Sequence, residues 1–110
     1  MMRIMDAIAG LLDEIVARLT AVARPARIIV FGSSATGAAT ADSDIDLLVV
    51  LDDVDDARVE SVRLRRALRG LGVPLDVIVM SVDRFEETKD VVGGIAYPAN
   101  TYGRVIYGAA

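Results

Sequence analysis

Gly32-Ser33-Ser34-Ala35-Thr36-Gly37-Ala38-Ala39-Thr40-Ala41-Asp42-Ser43-Asp44-Ile45-Asp46 runs directly into the apolar segment Leu47-Leu48-Val49-Val50-Leu51. Small and polar residues follow the short hydrophobic run Arg27 to Phe31, and two carboxylates spaced two apart open the next run. In an extended chain residues i and i+2 point to the same side, so Asp44 and Asp46 project together from the mouth of a strand. Two such charges repel unless a cation lies between them. Beyond the mouth, Ile45, Leu47, Val49 and Leu51 fall on one face, while Leu48 and Val50 follow Asp46 on the other. Apolar residues on both faces mark a central strand covered on each side.

Working outward, Ile8, Leu12, Ile15, Leu19 and Val22 recur in steps of four and three. This is the stripe of an amphipathic helix. Pro25 biases its predecessor out of the helical region, so the helix should end between Val22 and Arg24, and Arg27 to Phe31 should form the first strand. Downstream, Asp52 to Asp56 reads as a solvated loop that also caps a helix over about 57 to 70. Arg63, Arg65, Arg66 and Arg69 load that helix with charge and read as a solvated face, Leu64 and Leu68 continue its apolar stripe, and Gly70 and Gly72 end it.

Pro74 precedes a third strand, Leu75 to Met80, in which Asp76 stands among apolar neighbours. A carboxylate in a buried strand is costly unless paired or bound to metal. Ser81 is placed to cap a short helix from Val82 to about Thr88. The stretch Val91 to Tyr97 is ambiguous because of Gly93-Gly94, and Pro98 is expected to end it. Tyr102 to Tyr107 reads as a turn and a short edge strand, with Tyr97, Tyr102 and Tyr107 as packing residues.

Composition bounds what this arrangement can be. With 110 residues the chain is expected to form one domain, residues 1–110, with a core of Ile, Val, Leu and Ala; it is 54% apolar but has only two Phe and three Tyr. Twelve basic and sixteen acidic side chains give a net charge of -4, which argues against extensive binding to nucleic-acid backbone. No apolar run is long enough to span a membrane and no leader is evident, so a cytoplasmic location is expected. The chain lacks Cys and His. Disulfides and thiolate zinc sites are excluded, and any general base or metal ligand must be Asp, Glu, Lys, Tyr or main chain. The high apolar fraction also suggests an uncovered patch suited to a partner.

Gly32-Ser33, ten intervening residues, then Asp44-x-Asp46 resembles the signature of the DNA-polymerase-beta-like nucleotidyltransferase superfamily, with Asp76 where its third carboxylate would stand. Such a combination at one spacing should arise by chance on the order of once in a thousand chains of this length. The nearer resemblance is to minimal nucleotidyltransferase (MNT) domains, and it extends over almost the whole chain, including Ile95-Ala96-Tyr97 and Gly103-Arg104-Val105-Ile106-Tyr107. The resemblance implies an α/β (α+β) nucleotidyltransferase fold, a small mixed β-sheet flanked by helices.

It also implies roles for the residues. Gly32, Ser33 and Ser43 would bind the nucleotide. Gly32 lets the backbone approach a triphosphate, and Ser33 and neighbouring amides donate to its oxygens. Asp44, Asp46 and Asp76 would be both the metal ligands and the catalytic carboxylates, holding magnesium, in two ions, with Asp76 helping to deprotonate an acceptor hydroxyl. ATP would be the substrate, and AMP the group transferred. The partner implied is a HEPN-domain ribonuclease toxin, this chain being the antitoxin that adenylylates a tyrosine on it; homo-oligomerisation stays open. Taken singly, Gly32-Ser33 also reads as a plain turn and Asp44 as a loop cap.

Many relatives carry Arg at one or both of the positions held here by Ser34 and Thr36. Arg24, Arg27 or a partner's side chain are the candidates to replace that charge. The same absence supports an alternative, an MNT antitoxin that neutralises its partner by binding alone. A small-molecule transferase of the antibiotic-modifying type is the third reading.

Overall fold

The computed structural model describes residues 4–32 and 45–108. Its elements in chain order are α1 (Ile4–Val22), β1 (Pro25–Phe31), β2 (Ile45–Leu51), α2 (Ala57–Ala67), β3 (Leu75–Ser81), α3 (Val82–Thr88), α4 (Ala96–Tyr102) and β4 (Arg104–Gly108). The four strands form one mixed sheet in the order β3-β2-β1-β4, with β2 antiparallel to β1 and parallel to β3, and β4 antiparallel to β1. This is a mixed sheet flanked by helices, as the motif implied.

Strand alternation divides the core in two. Ile28 and Val30 of β1, Ile45, Leu47, Val49 and Leu51 of β2 and Val77 and Val79 of β3 pack under Leu12, Ile15 and Leu19 of α1 and under Leu64 and the following Leu68 of α2. On the opposite face Ile29, Leu48 and Val50 meet Phe85 of α3 and Ala96 and Ala99 of α4. Both faces of β2 are therefore covered, and its hydrogen-bonding edges are paired with β1 and β3.

Helix α1 stops at Val22, and Pro25 is the first residue of β1, two positions before the expected start. A first strand position tolerates a missing N–H. Helix α2 ends at Ala67, three residues short of the expected limit. Its last turn tightens, with the Leu68 and Arg69 amides donating to the Arg65 and Arg66 carbonyls at 3.1 and 3.2 Å.

The ends of α1 and α2 hold each other. Arg18 of α1 donates to the Arg69 carbonyl at 2.8 Å, and Arg63 of α2 donates to the Val22 carbonyl and pairs with Glu60. Helix-terminal carbonyls have no intrahelical partner, so each helix supplies what the other lacks. The α2 arginines are exposed, as expected, and Arg63 also makes this inter-helix contact.

The Asp52–Asp56 run is exposed apart from half-buried Val54, and Asp56 caps α2 by accepting from the Arg58 and Val59 amides at 3.0 and 3.2 Å. Ser81 caps α3 by accepting from the Arg84 amide at 3.1 Å. Pro98 corrects the expectation placed on it, since it lies in the first turn of α4 and does not end an element. An N–H is unpaired in a first turn anyway, so proline starts a helix as readily as it stops one. Tyr102 and Tyr107 also depart from expectation: both are exposed rather than packed. No helix among the described residues is long and apolar enough to cross a membrane.

Candidate active site

The sheet topology brings the chemistry together at one end. Gly32 follows the last residue of β1, and Phe31 pairs with Asp46 near the start of β2. Across the parallel ladder Asp46 is in register with Asp76, the second residue of β3. Alternation puts both carboxylates on the face shared by Leu48, Ile78 and Met80, at the mouth of the strands. Two chemistry-bearing positions from separate parts of the sequence are neighbours because β2 and β3 run parallel.

Gly32 adopts φ +77°, where a side chain is strained, and a Cβ built there would lie 2.6 Å from Asp46 Oδ2. A larger residue there would require the Asp46 carboxylate to move. The glycine is therefore required twice, by its dihedral and by the oxygen beside it.

Asp76 differs from its expected setting. It is exposed, at the start of an edge strand rather than buried mid-strand, and Arg65 Nη2 donates to its Oδ1 at 2.7 Å. The apolar neighbours Val77, Ile78 and Val79 describe the strand's interior and Leu75 packs against the first core, but Asp76 between them turns to solvent. Arg65 belongs to α2, which covers the opposite face, so its guanidinium reaches round the β3 edge. Sequence reasoning missed this residue because nothing in an Arg-rich helix tells which guanidinium turns to a carboxylate on another element.

Arg24 and Arg27 are placed away from the mouth. Arg27 pairs with Val50 at the far end of the β1–β2 ladder, and its guanidinium lies over the Phe85 ring, 5.3 Å from the centroid. Arg24 lines a shallow pocket with Asp52, Asp53, Asp55 and Arg63 at that same far end. Neither supplies positive charge to Asp46 or Asp76. Ser33, Ser34, Thr36, Ser43 and Asp44 lie outside the described residues.

Among the described residues no three acidic, His or Cys side chains cluster as a metal set. Asp46 and Asp76 contribute two aligned carboxylates, hard oxygen donors of the kind magnesium takes while keeping several waters. The donor chemistry fits that ion. On the α2 side of β3, Arg65, Leu68, Arg69, Leu71, Pro74 and Leu75 line an open cleft of about 480 Å³.

Residues 10–95 match the family model described as nucleotidyltransferase domain. The chain belongs to this family. The match spans the strand pair, the Gly32–Asp46 segment and Asp76. Among solved structures, this nucleotidyltransferase domain is similar to a crystal structure of a toxin-antitoxin with AMP-PNP, with a TM-score of 0.68 and 21% identity over 89% of this chain and 73% of that one. It is also similar to a putative nucleotidyltransferase from Sulfolobus solfataricus, with a TM-score of 0.65 and 18% identity over 94% and 86% of the respective chains. At these identities the likeness establishes the nucleotidyltransferase-like fold. No curated protein matches the sequence.

Proposed function

We propose that this nucleotidyltransferase domain, as a single unit over residues 1–110, transfers AMP from ATP to a hydroxyl acceptor, and that the acceptor is a tyrosine of a HEPN-type ribonuclease toxin which it neutralises. The observation that carries the reading is the register of Asp46 with Asp76 at the strand mouth, with Gly32 against the Asp46 carboxylate. Asp44 precedes Asp46 by two residues, the spacing that would put both on one side of an extended chain. Similarity to a toxin-antitoxin with AMP-PNP supports the choice of nucleotide and partner class. So does the apolar surface on α2, where Val59 and Val62 are 57% and 45% exposed.

Asp44, Asp46 and Asp76 would hold magnesium, in one or two ions. Bound there, the metal supplies charge neutralisation for the triphosphate and for the attacking and leaving oxygens. Ser33 and Ser43 hold the phosphates from the loop, and the glycine at 32 keeps the backbone close to them. Asp76 takes the proton of the acceptor hydroxyl. The freed oxygen bonds to the α-phosphorus in line, the bond from that phosphorus to the bridging oxygen breaks, and pyrophosphate leaves.

With labelled ATP, magnesium and the partner protein, the partner becomes labelled, and Asp44→Asn abolishes the label. Undiminished labelling by that variant defeats the assignment. Ser34 and Thr36, where many relatives carry Arg, favour a second reading, neutralisation by occlusion alone. An Asp44→Asn, Asp46→Asn variant that still silences the partner stoichiometrically decides for it.

A further inference from the structure

We propose that Arg65 is the phosphate-facing cation of this site, held on Asp76 and passed from that carboxylate to a nucleotide phosphate oxygen when a divalent cation engages Asp76. The inference rests on the transferase reading and extends it to a residue outside the Gly-Ser and Asp-x-Asp motif.

Four observations lead to it. Arg65 Nη2 donates to Asp76 Oδ1 at 2.7 Å, so guanidinium and cation would compete for the same oxygen. The two side chains are 51% and 52% exposed, and ion pairs this open to solvent are weakly held and readily exchanged. Asp46 and Asp76 are in register across the ladder, and Arg65 offsets the charge of Asp76 only until a stronger charge does so. Finally, Arg65 lines an open cleft on the α2 side of β3, so its side chain has room to move when it leaves the carboxylate.

The chemistry of the side chain suits the second position as well as the first. A planar guanidinium fork matches phosphate oxygens as it matches carboxylates. The motif loop carries Ser34 and Thr36 rather than Arg, and Arg24 and Arg27 lie at the far end of the sheet. Arg65 reaches the site from α2, and its long stem crosses the edge of β3 to do so.

The test uses Mn2+ and AMP-PNP as probes on the full chain. Arg65→Gln should bind Mn2+ alone about threefold tighter by electron paramagnetic resonance titration, because Asp76 loses its competitor. The same variant should bind AMP-PNP in the presence of Mn2+ at least about tenfold more weakly by calorimetry. A merely structural role would not move the two affinities in opposite directions. Arg65→Lys, which keeps the charge and loses the fork, should recover part of the nucleotide affinity and serves equally if the glutamine variant is poorly folded. Equal Mn2+ affinity in Arg65→Gln and the unaltered chain, or unchanged AMP-PNP affinity, overturns the proposal while leaving the transferase reading intact. An unaltered chain that binds neither probe overturns both.

Discussion

At the scale of single residues, Gly32 is the glycine whose constraint bears on the site. Its φ of +77° costs an L-residue about 1–2 kcal/mol, and its missing Cβ leaves the space that Asp46 Oδ2 fills. Gly32→Ala should therefore lower stability by about 1–2 kcal/mol in urea unfolding. It should lower AMP transfer much further, on the order of a hundredfold, because the carboxylate must shift by a good part of an ångström. The two readouts separate strain from misplacement. Asp76 shows the opposite situation: its half-exposed pair with Arg65 is worth at most about 1 kcal/mol, so it constrains little and can be exchanged.

The elements of this fold were largely legible because their periods are unambiguous. Ile45, Leu47, Val49 and Leu51 alternate with Leu48 and Val50, and the two sets fall into separate cores. Leu12, Ile15 and Leu19 likewise keep a helical stripe that is buried. Pro98 was misread because proline marks both starts and stops, and only the packing of Ala96 and Ala99 distinguishes them. The burial of Asp76 was misjudged because apolar neighbours do not reveal that β3 is an edge strand. Arg65 could not be read at all, since its partner lies on another element.

The second core is the thinner one, and α3 reaches it chiefly through Phe85, which is 1% exposed. Phe85→Ala should cost about 3–5 kcal/mol in denaturant unfolding. Against a total of about 5–15 kcal/mol for a natural domain this is a large share. It would also remove the ring under the Arg27 guanidinium.

Across the whole molecule, the sheet order β3-β2-β1-β4 decides which strands are exposed to solvent at an edge. Among the described residues β4 pairs only with β1, and it contributes Val105 to one core and Ile106 to the other. Ordinary alternation puts these consecutive residues on opposite faces, and a register shift between Ile28 and Ile29 marks an irregularity in the pairing. Deleting residues 104–110 should leave β1 as an unpaired, strongly apolar edge, a template for association between chains. Size-exclusion chromatography should then show loss of the native species to higher oligomers or aggregate.

The register of Asp46 with Asp76 also orders events in time. Each carboxylate sits on its own strand, and α2 with its flanking loops lies between them in the chain. The parallel ladder cannot close until that whole crossover has been made and folded back, which is slow relative to hairpin formation. A growing chain carries the Asp44-Ile45-Asp46 segment early but gains the facing carboxylate only when β3 docks. The two facing carboxylates thus come together late in folding.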